Sequence, residues 1–350
     1  MKNSYYISRN YRSKFDAAGK AKTDCETVLS QLGFKNLGFK QTSFSNSAIG
    51  TLISFLGITR GLIKLPRRSI LFTQYPLNKF YQYIQYIAKL KKCKIIAIVH
   101  DVKSLKGRTK NQTKELSVLA GSNAMIVHNS SMKNWFRQQG FNMPIQELEI
   151  FDYLPENPTL DKSGSMKENG LFELVYAGGL WPKKNRFLYQ LDSIDNDNFR
   201  VKLYGTGFDK DKLQTENSII DYQGMFPSNE IANHISGSFG LVWDGSSIKE
   251  CEGQYGQYLR FNNPHKTSLY LLCGLPIIIW DQAALSDFVK KYEVGIGISS
   301  LEELNHALTQ IDSEKYNTMI RNVNSVRQKL MRGGFLETAV NKILSFLHDQ

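Results

Sequence analysis

A chain of 350 residues with 41% hydrophobic side chains can bury more than one core, which excludes a disordered tether and makes two domains of ordinary size the expectation. A formal charge of +12 points to anionic partners, but no zinc-finger spacing, RNP-like aromatic motif or helix-turn-helix pattern accompanies it, so nucleic acid is not expected. Cys25, Cys93, Cys251 and Cys273 lie far apart without a CxxC pair or a zinc spacing, as suits reduced cytosolic thiols.

The first ten residues lack the apolar stretch of a signal peptide, and no uninterrupted apolar run reaches the roughly 18–20 residues of a spanning helix, so a cytoplasmic protein is expected. Short β-branched runs alternate with longer helical patterns, as in parallel sheets built from βαβ units. In the first half the strand candidates are 4–8, 36–40, 69–74, 94–100 and 124–128.

The first strand leads into "RNYRSKFDAAGKAKTD", where small residues allow close backbone approach and a helix start offers free N–H groups to an anion. Ser13, Asp16, Ala18, Gly19 and Lys20 are its candidates for an acceptor or phosphate loop; a plain basic surface loop is the alternative. Residues 48–63, "AIGTLISFLGITRGLI", followed by "KLPRR", read either as a buried helix or as an interfacial helix, with peripheral contact at the inner face of a membrane through 48–68. Between Lys89 and Lys110 eight basic residues face a single acid, Asp101, a concentrated positive field. The strand before that acid ends in His100 and Asp101, either of which would take a proton from a hydroxyl nucleophile if exposed; a hydrogen-bonded pair fixing the loop is the alternative.

Residues 154–170, "LPENPTLDKSGSMKENG", are polar and aperiodic and read as a linker. The second-half strands are 172–177, 199–204, 219–223, 239–243, 276–280 and 295–298, and a last helix begins near 334. Ligands of open parallel sheets bind outside the carboxyl ends of the strands, so the loops there are the ones to inspect. After 172–177 come Gly178 and Gly179, then Lys183, Lys184 and Arg186, any of which would suit a diphosphate. Tyr204 and Gly205 repeat the strand-then-glycine pattern, Phe226 offers a face for a planar base, and Asp244 ends the run "FGLVWD". Lys266 then opens the apolar stretch "HKTSLYLLCGLPIIIW" at a helix N-terminus, where a cation is disfavoured unless it meets an anion; Thr267 and Ser268 follow with their hydroxyls. The fingerprints G-x-G-x-x-G and Walker A are absent, which removes the dehydrogenase and P-loop readings.

The strand and glycine pair at 174–179, "LYGTG", "FGLVWD" and "HKTSLYLLCGLPIIIW" resemble the nucleotide-binding half of a GT-B glycosyltransferase, and "AMIVHNSSMKNWFRQQGF" resembles the segment before the linker in that fold. More closely, nearly the whole chain resembles the bacterial group that contains the serine-rich-repeat adhesin glucosyltransferase and the β-1,6-galactofuranosyltransferases, through "AAGKAKTD", "IVHDV", "FGLVWD" and "KTSLYLLCGLPIII". The resemblance implies an α/β chain with two doubly wound Rossmann-like domains facing a central cleft: 1–153 for the acceptor, a linker at 154–170, 171–333 for the nucleotide sugar, and a helix at 334–350 crossing back to the first domain. It implies transfer of a hexose (glucose, galactose or galactofuranose) from a UDP-sugar to a glycan on a GlcNAc-modified serine-rich protein or a lipid-linked intermediate. No cofactor and no metal are implied, and self-association is. Lys266 matches the lysine that contacts the donor diphosphate, Phe226 falls where an aromatic packs by the nucleotide, and the 183–186 cluster covers the family's basic position. A non-catalytic nucleotide- or carbohydrate-binding partner of the same architecture is the alternative.

Overall fold

The computed structural model describes residues 3–9, 17–40, 46–77, 80–107, 111–156, 163–167, 170–213 and 218–348. The chain divides into two compact units, Met1–Asp152 with Arg332–Gln350, and Tyr153–Met331.

The first unit runs β1 (Ser4–Tyr6), α1 (Ala17–Gln31), β2 (Lys35–Asn36), α2 (Ser47–Lys64), β3 (Ile70–Tyr75), α3 (Tyr81–Leu90), β4 (Lys94–Val99), α4 (Gln112–Ala120), β5 (Ala124–Val127), α5 (Ser130–Gln138) and β6 (Ile145–Glu147). Its six strands pair in parallel in the order β2-β1-β3-β4-β5-β6. The central strands are apolar without alternation because helices cover both faces: Ile96, Ala97 and Ile98 of β4 are fully buried, as are Ala124, Met125 and Val127 of β5. Four of the five expected strands appear within two residues of their predicted ends. The run expected at 36–40 shortens to Lys35–Asn36, and β6, only three residues long, was not anticipated.

In the second unit come β7 (Phe172–Gly179), β8 (Phe199–Thr206), β9 (Ile220–Gly224), α6 (Ile231–His234), β10 (Phe239–Val242), α7 (Gly253–Tyr258), α8 (His265–Leu272), β11 (Ile277–Trp280), α9 (Ser286–Tyr292), β12 (Gly295–Ile298), α10 (Leu304–Thr309) and α11 (Ser313–Met331). The sheet is again parallel, in the order β12-β11-β10-β7-β8-β9. The chain winds outward from β7 in one direction and from β10 in the other, so the topological switch lies between these two neighbours. The described residues of the stretch expected as a linker belong to this unit: the N–H of Gly164 donates to the carbonyl of Gly274, and that of Ser165 to the carbonyl of Gly237, each at 3.2 Å.

The final helix, α12 (Gly334–His348), belongs to the first unit and packs on α1, β5 and β6. Buried Asp152 accepts from the N–H groups of Phe335 (3.1 Å) and Leu336 (2.8 Å), so a carboxylate satisfies two of the otherwise orphaned donors at the start of that helix. Among the described residues no helix is long and apolar enough to cross a membrane. All four cysteines are free and buried.

Candidate active site

In the second unit the ends of β7 and β10 and the first turn of α8 meet at the switch point. Asp244, one residue beyond Trp243, is buried; its Oδ1 accepts from the Tyr176 hydroxyl at 2.7 Å and Lys266 Nζ at 3.0 Å and pairs in charge with Lys184 Nζ at 3.7 Å. The Lys266 ammonium also lies 3.9 Å from the centroid of the Tyr176 ring, so the tyrosine face and the carboxylate hold it from two sides. Two cations therefore share one carboxylate beside a helix N-terminus, which leaves the cluster with a net positive charge.

Opposing forces set the protonation of this cluster. Burial pushes the Lys266 ammonium down to about 8, against the pull of Asp244, while Lys184 lowers it further. Burial would raise the Asp244 carboxyl, but the charges of Lys184 and Lys266 outweigh it and hold the group below its ordinary value. The Tyr176 hydroxyl is pushed well up by burial and then by Asp244, so it stays a donor.

The scaffold around the cluster is made by close backbone contacts. Gly178 and Gly205 pair across β7 and β8 with φ of 141° and 143°, and a Cβ on Gly205 would stand 1.8 Å from the Gly178 carbonyl oxygen. Fully buried Asn185 donates from Nδ2 to the Gly179 carbonyl at 2.5 Å and accepts from the Gly245 N–H at 3.4 Å, tying the β7 loop to the β10 loop. The Tyr270 hydroxyl of α8 accepts from the Ala177 N–H at 2.7 Å. None of Tyr176, Asn185 and Tyr270 was singled out from the sequence, where each reads as a strand, loop or helix residue with no charge to mark it.

Several expected residues stand elsewhere. Of the basic run 183–186, Lys184 joins the cluster while Arg186 is exposed at the start of a 3-10 helix, Arg186–Ser193. The side chains of Thr267 and Ser268 are completely buried, because they lie on the inward face of α8; their hydroxyls do not present themselves to a ligand as expected. Tyr204 is likewise a core residue, its hydroxyl donating to the His234 carbonyl at 3.3 Å. Half-buried Phe226 stacks one face on His234, with ring centroids 3.8 Å apart.

In the first unit the strand ends carry a buried polar relay. Glu26 of α1 accepts from the Ser8 hydroxyl (2.5 Å) and from Gln74 Nε2 (3.2 Å); Gln74 Oε1 in turn faces His100 Nε2 at 2.7 Å. Because Gln74 Nε2 also donates to the Lys22 carbonyl (3.1 Å), its Oε1 is an acceptor and His100 Nε2 must carry a proton. His100 is buried against the Phe151 ring, not open as the sequence suggested, since β4 ends beneath this relay. Asp101 is partly exposed and pairs with Lys106. His128 donates from Nε2 to the His100 carbonyl at 2.9 Å, and burial lowers it to about 4. Buried Glu115 accepts from the N–H groups of Lys103 and Ser104 and from the Tyr75 hydroxyl, fixing the loop after β4. Of the expected phosphate loop, Ser13 and Asp16 lie outside the described residues, as does the side chain of Ala18. Gly19 falls in α1, and Lys20 there is paired with Asp24 one turn on.

Two family models match this chain, "Glucosyltransferase 3-like, N-terminal domain" over residues 4–150 and "Glucosyltransferase 3-like, C-terminal domain" over residues 174–343. The chain is 28% identical over 347 residues to a "Beta-1,6-galactofuranosyltransferase WbbI" of Escherichia coli (strain K12), covering 98% of this chain and 99% of the relative. It is 23% identical over 337 residues to "Glucosyltransferase 3" of Streptococcus gordonii, covering 93% and 94%. Among solved structures it is similar to the lipopolysaccharide outer core galactosyltransferase WaaB, with a TM-score of 0.58, 11% identity, and coverage of 97% and 99%. WaaG, a glycosyltransferase of lipopolysaccharide biosynthesis, gives a TM-score of 0.56 at 12% identity, with the same coverage. These two likenesses concern the fold. Both halves of the chain therefore belong to the Glucosyltransferase 3-like family, and the protein is a glycosyltransferase with the GT-B fold.

Proposed function

We propose that the protein transfers a hexose from a UDP-sugar to a hydroxyl of a glycan carried on protein or lipid. The observation that supports this reading is the Lys266–Asp244–Lys184 cluster at the β7/β10 switch point, a net positive site of the kind that a nucleoside diphosphate needs. The relatives' names add the hexose: one is a galactofuranosyltransferase, others are glucosyltransferases.

In the reaction the acceptor oxygen bonds to the anomeric carbon, the bond from that carbon to the β-phosphate oxygen breaks, and its electron pair leaves on the diphosphate. Lys266 and Lys184 are placed to meet that charge as it develops, with a helix N-terminus beside them; in this reading they do the work that a resident metal does elsewhere. The backbone at Gly178 allows close approach, since nothing stands within 4 Å of where its Cβ would be, whereas at Gly179 the Trp181 ring would stand 2.5 Å from a Cβ. The proton from the acceptor hydroxyl goes to a general base. Asp101 is the candidate by exposure, while His100, held by Gln74 and buried against Phe151, would need an opening of the loop after β4 to act.

A thermal-shift panel of nucleotides tests the donor. UDP and UDP-hexoses are expected to raise the melting temperature while GDP and NAD do not. Equal stabilisation by GDP, or none by UDP, overturns the UDP assignment.

A further inference from the structure

The helix α2 is built inside out. Its buried positions are Gly50, Ser54, Gly57, Ile58, Gly61 and Leu62, and its large apolar side chains Ile49, Leu52, Phe55, Leu56 and Ile63 face solvent. The exposure is substantial, 57% for Leu52 and 74% for Ile63. Glycines face inward because the helix lies tight on its own unit: a Cβ on Gly61 would stand 2.9 Å from Ile7 Cδ1, and one on Gly57 would stand 3.1 Å from the Phe39 ring. An ordinary surface helix buries its large apolar side and shows its polar one. Residues 49, 52, 56 and 63 share one helical stripe, so the exposed apolar groups are continuous rather than scattered.

A second helix extends the surface. Phe55 packs on Phe80 and Tyr83, each with ring centroids 6.1 Å apart, and α3 adds exposed Tyr86 and Leu90 beside that contact. The ends of both helices are cationic. Lys64, Arg67, Arg68, Lys89 and Lys92 are exposed there, and Lys91 Nζ donates to the carbonyls of Ile63 and Leu65 at 2.8 Å, joining the turn after α3 to the end of α2. Residues 27–100 hold eleven Lys or Arg and no Asp or Glu.

We propose that the α2/α3 face is a docking surface for an anionic lipid bilayer, with Leu52, Phe55, Leu56 and Ile63 inserted at the level of the headgroups and the basic rim on the phosphates. Charge selects this occupant. A second copy of the same face would bring one acid-free basic surface against another, whereas an anionic membrane offers apolar depth and negative charge together.

Flotation of the full-length protein with phosphatidylglycerol–phosphatidylcholine vesicles tests this, with no nucleotide sugar present, so that the donor assignment stands or falls separately. The protein is expected to float with these vesicles at low salt and to remain behind with pure phosphatidylcholine. The exposed double substitution Leu52→Ser/Leu56→Ser should abolish flotation. Lys64→Glu/Arg67→Glu should weaken it by at least about 25-fold, at about five-fold per cation lost. Thermal melts of the variants within a few degrees of the parent show that they are folded. No flotation of the parent, or undiminished flotation of the Ser/Ser variant, overturns the proposal. So does a homodimer in light scattering that the Ser/Ser pair dissolves, since a second copy would then cover the face.

Discussion

Lys266 is a cation at a helix start, where the dipole opposes it, in a site that burial makes worse. Asp244, at 3.0 Å, and the Tyr176 ring, at 3.9 Å, keep it charged at neutral pH. Burial has already brought its pKa down to about 8, so the charge is lost as pH rises through that value, more than two units earlier than for an ordinary lysine. The rate constant kcat/KM for the nucleotide sugar should therefore fall above pH about 8 in the free enzyme. Asp244→Asn removes the group that holds the proton on, so its profile should break at lower pH, and kcat/KM at neutral pH should drop about 10-fold or more. An Asp244→Asn profile that breaks at the parental pH rules out the coupling. Lys266 was legible in the sequence because a charge at the head of an apolar run stands out. Tyr176 and Asn185 were not, because their partners Asp244 and Gly245 lie 68 and 60 residues away and only the sheet brings them together.

At the scale of elements, the parallel strands declared themselves. Runs such as "KIIAIV" and "PIIIW" are too short for buried helices and too uniformly apolar for a half-exposed sheet. The short β6 gave no such signal, and α2 was ambiguous because a glycine-rich apolar helix reads alike whether its large side chains face in or out; only the placement against Ile7 and Phe39 decides. The start of α12 depends on Asp152, whose carboxylate holds the N–H groups of Phe335 and Leu336. Asp152→Ala leaves those buried donors without their acceptor and should cost about 1–3 kcal/mol in chemical denaturation. A loss under about 0.5 kcal/mol, the range of ordinary surface substitutions, would show that α12 is held by its packing alone.

For the molecule as a whole, the two units repeat one design: an open parallel sheet whose switch point gathers polar groups at the carboxyl ends of its strands. In the second unit these are two lysines around one carboxylate, and in the first a relay from Glu26 through Gln74 to His100. The first pattern suits an anion and the second orients an imidazole. Membership of that family displaces the reading of a non-catalytic partner. The central claim is that Lys266 carries the diphosphate, and calorimetric titration of UDP into the parent and Lys266→Ala at pH 7 tests it most directly. A charge-assisted contact of about 1.5–3 kcal/mol predicts Kd raised about 10- to 150-fold in the variant. An unchanged Kd in a folded Lys266→Ala protein would contradict it.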